Sequence, residues 1–198
     1  MSTTELPLLV ETPQSWAELA ADNLQLFLAD HAICEQQAAL FGLNLVAHYP
    51  EDDELVSKMS SLAAEEVVHL RRVARLLHDR GLKLSRRRAN SYVRGLHERL
   101  CRERKDELKI DRLLVGALIE ARSCERFTRL LEVLGDRDPE VARLLADLGP
   151  AEKRHWEMFY GLAAREIDAQ GLELRWQRWL GWERDLMADR GTAPTVHG

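Results

Sequence analysis

The chain has 198 residues, of which 45% are hydrophobic, and a formal net charge of −5 at pH 7. This length and apolar fraction predict one globular domain of ordinary size with a substantial core. No apolar run approaches the roughly 20 residues that span a bilayer, and the acidic N-terminus lacks a signal-peptide pattern. The three cysteines form no Cys-x-x-Cys pair, which argues against a disulfide framework or a zinc ribbon. We therefore expect a cytoplasmic protein without membrane contact.

Helix-forming residues dominate the chain, and apolar positions recur at helical spacing. After an arm over residues 1–14 and a short helix over 16–21, four long helices are predicted at 23–48, 51–80, 107–134 and 138–169. Pro150 should kink the fourth helix, and Gly171 should follow its end. The crossover at 82–107 is expected to hold a short helix over 91–102. A last helix is predicted at 173–188, and residues 191–198 are expected to be a flexible tail.

Two short motifs carry the chemistry of the sequence. Glu66 and His69 stand three residues apart, as do Glu152 and His155, so each pair shares one face of a helix. A single glutamate precedes each pair at nearly the same distance, since Glu35 lies 31 residues before Glu66 and Glu120 lies 32 before Glu152. The repeated spacing indicates that these six side chains come together.

The residues around the six candidates decide between a surface and a buried position. Each candidate interrupts a helical stripe that is otherwise apolar; the stripe of the first pair, for example, contains Met59, Leu62 and Val73. An ionised carboxylate in such a stripe is costly unless it is paired or binds a cation. Four converging glutamates carry a charge of −4, which suits two divalent cations. Carboxylate and imidazole ligands without thiolates favour iron or manganese.

One glutamate on each of two helices, with Glu-x-x-His on each of two others, resembles the ligand set of ferritin-like di-iron or di-manganese bundles. The resemblance is closer in two stretches, Ile119-Glu-Ala-Arg-Ser-Cys-Glu-Arg-Phe127 and Ala151-Glu-Lys-Arg-His-Trp156. These are similar to stretches of the tRNA 2-methylthio-N6-isopentenyladenosine hydroxylases, the MiaE family. The chain length and ligand spacings resemble that family from about residue 10 to residue 188.

The resemblance implies a fold and a metal site. The fold would be all-α, a ferritin-like four-helix bundle over residues 1–190, with a long crossover and additional short helices near both ends of the chain. Two iron ions would be bound, with Glu66 and Glu152 bridging or flanking them. Glu35 and Glu120 would cap the irons, and His69 and His155 would each ligate one.

The resemblance also implies a reaction. The enzyme would use dioxygen and an external electron donor to hydroxylate the isopentenyl group on the modified adenosine at position 37, in the anticodon loop of tRNA. An electron-transfer partner is therefore expected, and nothing in the sequence requires an oligomer, so we expect a monomer. Small residues near the ligands, among them Ala38, Gly42 and Ala117, would leave room for the prenyl group or allow close helix contacts.

The charge is unevenly distributed along the chain. Residues 80–105 contain ten basic and two acidic side chains, a net charge of +8 for this segment of an acidic protein. Such a segment fits a phosphate-binding surface, because backbone contacts supply most non-specific affinity for nucleic acids. The candidate tRNA-binding residues are Lys83, Arg86, Arg87, Arg88 and Arg94. The alternative is a solvated crossover whose arginines pair with acids of the same protein.

Several alternatives remain open from the sequence alone. Glu65 and Glu125 compete with Glu66 and Glu120 as ligands. His31 shares the face of Glu35, which favours a core histidine or a partner of the ligand over a ligand. Other function classes are a ferritin-like iron-handling protein, an RNA-binding module with structural carboxylates, and a di-iron oxygenase with a small-molecule substrate.

Overall fold

A computed structural model of the chain describes residues 6–84, 90–190 and 192–197. This described part contains α-helices and no strand, which confirms the all-α prediction. The helices are α1 Gln14–Asp22, α2 Leu24–His48, α3 Asp53–Asp79, α4 Ser91–His97, α5 Lys105–Leu134, α6 Pro139–Ala163 and α7 Ala169–Arg190. None of the helices in the described part has a stretch long and apolar enough to cross a membrane.

Side chains just before the helices explain where several of them begin. Asp52 accepts a hydrogen bond from the backbone N–H of Leu55 before α3, and Asp138 accepts one from Val141 before α6, so each satisfies a free amide of a first turn. Gly135, with φ of 46°, follows the last residue of α5, a backbone conformation that glycine adopts without strain.

Helix boundaries differ from the prediction at three places. The short helix of the crossover ends at His97 rather than at residue 102. The fourth long helix ends at Ala163 rather than 169, and Gly171 lies inside the first turn of α7 instead of after a helix. The reason is a cap that the sequence analysis missed: the Asp168 carboxylate accepts a 2.8 Å hydrogen bond from the N–H of Gly171, which starts a new helix here. Helix α6 runs through Pro150, and the bend there stays a prediction.

The helices form two compact units. The first contains the described residues of 23–88, with α2 packed against α3; the second contains those of 1–22 and 89–198, with α1 and α4–α7. The single domain proposed for residues 1–190 stays a prediction. In the first unit, Gly42 permits close contact of the two helices, because a Cβ at this position would lie 3.1 Å from the Met59 carbonyl oxygen. Gly42 therefore serves helix packing.

In the second unit, α5 is the central helix and packs mainly against α6. A Cβ on Gly116 of α5 would lie 2.9 Å from the ring of Phe159 on α6, so only glycine allows this aromatic side chain its place. Trp179 of α7 is fully buried and donates a 2.8 Å hydrogen bond from its indole N–H to Asp111 of α5. These contacts fix α6 and α7 to the same central helix.

The segment after α7 is packed into the second unit, which differs from the loose tail expected from its composition. Thr195, Val196 and His197 are all buried. Arg126 of α5 donates 3.0 Å hydrogen bonds to the carbonyl oxygens of Thr195 and Val196, and the His197 ring stacks on Tyr92 of α4 at 5.2 Å. Buried backbone groups need such partners, and the arginine on α5 that supplies them is distant in sequence.

Candidate metal centre

In the first unit, three of the six predicted ligands lie together. Glu35 projects from the middle of α2, and Glu66 and His69 project from successive turns of α3. Each offers one potential ligand atom, and these atoms lie within 4.8 Å of one another. His69 Nδ1 is 3.2 Å from Glu66 Oε2 and 3.6 Å from Glu35 Oε2. All three side chains are buried, with at most 5% of each residue exposed.

The charges of this cluster favour a cation at its centre. Burial alone would lower the pKa of His69, but hydrogen bonds and charges from Glu35 and Glu66 raise it to about 10. Burial would also raise the pKa of Glu35, yet the hydrogen bond with Glu66 and the His31 and His69 imidazoles hold it well below its usual range. The cluster therefore stabilises positive charge between its two carboxylates, and a divalent ion would supply that charge in place of protons.

His31 belongs to the same cluster as a partner of Glu35. Its Nε2 lies 2.5 Å from Glu35 Oε1, one helical turn away, and the side chain is only 1% exposed. The ring packs edge-on against Phe27 at 5.8 Å. A histidine fixed against a carboxylate in this way orients the second oxygen of that carboxylate, as side chains behind metal ligands commonly do.

In the second unit, the other three predicted ligands also lie together. Glu120 comes from α5, and Glu152 and His155 come from α6; each again offers an atom, all within 4.8 Å of one another. His155 Nδ1 is 3.9 Å from Glu120 Oε2, and no member of the three is more than 5% exposed. The two units thus repeat one arrangement, in which a glutamate on one helix faces a Glu-x-x-His pair on the next.

The structure separates the glutamates that competed as ligands. The Glu66 side chain is 1% exposed, whereas that of its neighbour Glu65 is 38% exposed. Glu125 is buried but serves another role, since it accepts hydrogen bonds from the Thr12 backbone and hydroxyl and from Arg122. Glu125 is thereby committed to the packing of the arm before α1 on α5.

The donor set fits iron. Carboxylates and imidazoles are the ligands that iron and manganese accept, whereas thiolates would favour zinc or an iron–sulfur cluster. Cys124 is buried beside the second cluster, and burial raises the pKa of its thiol to about 11, so it stays neutral and donates to the Gly149 carbonyl oxygen. Buried Glu and His clusters of this composition are compatible with a di-iron centre.

The structure describes only two of the five predicted tRNA-binding residues. Lys83 and Arg94 are exposed and thus accessible to a ligand. Arg86, Arg87 and Arg88 lie outside the described residues. Contact of any of the five with tRNA stays a prediction.

The sequence analysis missed a buried ion network in the second unit. Arg122 is fully buried and donates to both oxygens of Glu183 on α7, at 2.8 and 3.1 Å, as well as to Glu125 and to the Val10 carbonyl oxygen. Tyr92 of α4 donates to Glu183 as well. The 119–127 stretch therefore combines the ligand Glu120 with structural ions. The sequence did contain a signal of this network, because Arg122 and Glu125 are charged residues within an otherwise buried stretch of α5.

Comparison with known proteins identifies the family of the chain. The family model described as tRNA-(MS[2]IO[6]A)-hydroxylase (MiaE) matches residues 2–198. A protein of Pseudomonas putida named tRNA 2-(methylsulfanyl)-N(6)-isopentenyladenosine(37) hydroxylase is 41% identical over 152 residues, which are 77% of this chain and 72% of the relative. A protein of the same name from Salmonella typhimurium is 29% identical, covering 89% of this chain and 82% of its own.

A solved structure supports the fold assignment. It is named Protein 43 with aldehyde deformylating oxygenase activity from Synechococcus, and its TM-score is 0.90 at 29% identity, covering 96% of this chain and 95% of that one. The ferritin-like fold predicted from the ligand pattern is thereby confirmed. From the full-length match of the family model and the identity to the Pseudomonas putida relative, the chain belongs to the MiaE family of tRNA hydroxylases.

Proposed function

We propose that this protein is a di-iron monooxygenase that hydroxylates the isopentenyl group of 2-methylthio-N6-isopentenyladenosine at position 37 of tRNA. The observation that carries the proposal is the pair of buried clusters, each with a glutamate facing a Glu-x-x-His pair, in a chain of the MiaE family. The names of the relatives supply the substrate and the position of the modified base.

Six side chains would hold two iron ions. In our proposal Glu35, Glu66 and His69 bind one iron, and Glu120, Glu152 and His155 bind the other. One glutamate and one Glu-x-x-His pair for each ion is the ligand pattern of the carboxylate bundles. The four carboxylates balance the charge of two divalent cations, which relieves the cost of burying four negative groups.

The bound irons would supply activation of dioxygen for insertion of one oxygen atom into a C–H bond. The hydroxylation consumes two electrons and two protons per turnover, because the second oxygen atom of dioxygen leaves as water. We propose that an external redox protein or small-molecule reductant supplies these electrons. The chain's own contribution is to hold the ligands rigidly and to keep water away from them, which the apolar neighbours Met59, Leu62 and Leu148 would do.

We propose that tRNA binds through its anticodon loop, whose modified base would leave the stack to reach the metal centre. The basic segment over residues 80–105 supports this proposal, and Lys83, Arg86, Arg87, Arg88 and Arg94 are our candidate phosphate contacts. Because tRNA is its proposed substrate, we propose that the protein acts in the cytoplasm. We also propose that it acts as a monomer.

The test is mass spectrometry of nucleosides from prenylated tRNA incubated with iron-loaded protein and hydrogen peroxide, which bypasses the unidentified electron donor. A gain of one oxygen on the modified adenosine would support the metal, the reaction and the substrate together. If the tRNA is unchanged although two irons are bound per chain, tRNA is not the substrate and the proposed function is wrong.

A second candidate function is a di-iron oxygenase that acts on a small molecule. The observation that favours it is the fold shared with a protein of aldehyde deformylating oxygenase activity. This candidate predicts turnover of an aldehyde, with charge reversal of Arg86, Arg87 and Arg88 leaving that turnover unaffected. An iron-storage role instead requires a large shell, which a monomer in light scattering would exclude.

A further inference from the structure

The outward face of α3 is unusual for an acidic protein. From residue 57 to residue 78, each exposed side chain of this helix is uncharged or basic: Ser57, Lys58, Ser60, Ser61, Ala64, Val67, Val68, Arg71, Arg75 and His78. We call this set the α3 face. It extends for roughly 32 Å at 1.5 Å per residue. The glutamates of this stretch are not among its exposed residues, since Glu66 is buried and Glu65 is half-buried with an oxygen 3.9 Å from His69.

The exposed side chains of α2 include no acidic or basic residue apart from His48, so the comparison for the α3 face is the charged helix α7. Its exposed side chains mix both signs, with Glu173 accepting a hydrogen bond from Gln177 and Arg184 paired with Asp185 at 2.9 Å. Such mixed, locally paired charges are typical of a surface that meets only water. The α3 face departs from this pattern in a chain whose net charge is −5.

The cations of the α3 face are available to an anionic ligand. Among the described residues, Arg71 has no ion-pair partner, and the Arg75 side chain is 83% exposed with its Nε 3.6 Å from Asp79. An exposed pair at that distance contributes little, so a phosphate can replace it. The three serines add hydroxyl donors, and Val67 and Val68, 54% and 43% exposed, add an apolar strip that a sugar can cover.

We propose that the α3 face binds the sugar–phosphate backbone of tRNA, as a second contact surface besides the basic crossover. The inference rests on the proposed function, which makes tRNA the substrate. Charge complementarity selects this partner, because the cations and hydroxyls of residues 57–78 match a phosphate chain, while the exposed carboxylates of α3 lie at its two ends, at Asp53, Glu54 and Asp79. The helix leads along the sequence to exposed Lys83 and then to Arg86, Arg87 and Arg88, so the two surfaces are consecutive segments of one chain.

The test compares matched variants of the full chain, loaded with iron. Val67→Glu and Leu174→Glu each place one carboxylate at an exposed apolar position, the first on the α3 face and the second on α7. Arg71→Glu and Arg184→Glu form a second matched pair. Binding of prenylated tRNA is measured as a function of salt concentration, with iron content and circular dichroism confirming the fold of each variant.

We expect the two α3 variants to bind tRNA roughly five- to tenfold more weakly at about 0.1 M salt, and the two α7 variants to bind it like the parent protein. Arg71→Ala, which adds no repulsion, should lower the slope of log K against log salt by about one, the signature of a lost phosphate contact.

Three results would overturn the inference. The first is equal tRNA binding by the α3 variants and the parent, and the second is equal weakening by the α7 controls. The third is unchanged tRNA binding with slower donor-driven turnover, which would assign the α3 face to an acidic redox protein. Failure of the proposed function looks different, because the parent protein would then neither bind nor hydroxylate prenylated tRNA.

Discussion

His31 Nε2 lies 2.5 Å from Glu35 Oε1, and both side chains are almost completely buried. The contact orients a proposed iron ligand from behind, so its loss should weaken metal binding without changing the fold. We expect His31→Phe to lower affinity for Co²⁺, a spectroscopic substitute for Fe²⁺, by roughly 10- to 100-fold, measured by visible absorption. His31→Gln, which keeps a hydrogen-bond donor, should recover part of the loss.

The control for this prediction is His48→Gln on the same helix, because His48 is exposed and bonds only locally to the Asn44 carbonyl oxygen. Equal Co²⁺ affinity of His31→Phe and the parent protein would show that Glu35 needs no such support.

Metal binding should depend on pH through His69. Its pKa is raised from 6.5 to about 10 by Glu35 and Glu66 against the effect of burial, so the metal-free protein carries a proton that the cation must displace. Co²⁺ affinity should therefore rise with pH between 6.5 and 10, by up to about tenfold per unit for one released proton. Titrations at three pH values in this range test the slope, and a flat profile would contradict it.

The same group predicts a stability effect in the metal-free protein. Because the folded-state pKa lies above the unfolded one, the stabilisation by protonated His69 is fully present below about pH 6.5 and is lost as the pH rises towards 10. The free energy of unfolding, measured in urea between pH 6 and 10, should fall over this window. His69→Gln should lack the decline; the same decline in this variant would assign it to another group.

Gly116 should tolerate no side chain, whereas Gly161 should. Alanine at residue 116 would press on the Phe159 ring at 2.9 Å, and overpacking of this kind costs about 1–3 kcal/mol. Gly161 lies within α6 with nothing within 4 Å of its Cβ position, so Gly161→Ala should stabilise the protein by about 0.5–1 kcal/mol through helix propensity. Thermal unfolding of both variants checks the opposite signs, and a shared sign would contradict the packing.

Loss of one charge from the ion pair between Arg122 and Glu183 should destabilise the fold more than loss of both charges. Arg122→Met leaves Glu183 buried without its main partner, and breaking a buried pair in this way costs about 3–5 kcal/mol. The double variant Arg122→Met with Glu183→Leu removes both charges and should recover much of the loss. A double-mutant cycle by urea unfolding measures the coupling; additive losses would mean that the two residues do not depend on each other.

The ligand helices were predictable because two independent signals coincided in them. Glu66 and His69 share one face of a helix, and apolar neighbours such as Met59 and Val73 fix which face is buried. The choice between Glu66 and Glu65 came from the structure, in which the Glu66 side chain is 1% exposed and that of Glu65 is 38% exposed. The caps at Asp52 and Asp138 are local in sequence, and they lie within two residues of the predicted starts of their helices.

Long-range partners were not predictable in the same way. The burial of His197 depends on Ser123 and Tyr92, and that of Arg122 depends on Glu183, 61 residues away. No periodicity reports such contacts. A buried arginine also contradicts the usual rule that charged residues lie outside. His197 was therefore expected in a loose tail, and the sequence analysis gave Arg122 no buried partner.

The central claim is that the six predicted ligands, three in each unit, hold two irons and that the protein hydroxylates prenylated tRNA. The most direct measurement combines iron content with nucleoside mass spectrometry for the parent protein, Glu66→Ala, His155→Ala and the control Glu65→Ala. The account predicts two irons per chain and one added oxygen for the parent and for Glu65→Ala, with iron and product lost together in Glu66→Ala and His155→Ala. Full hydroxylation by a variant that has lost its iron would contradict it.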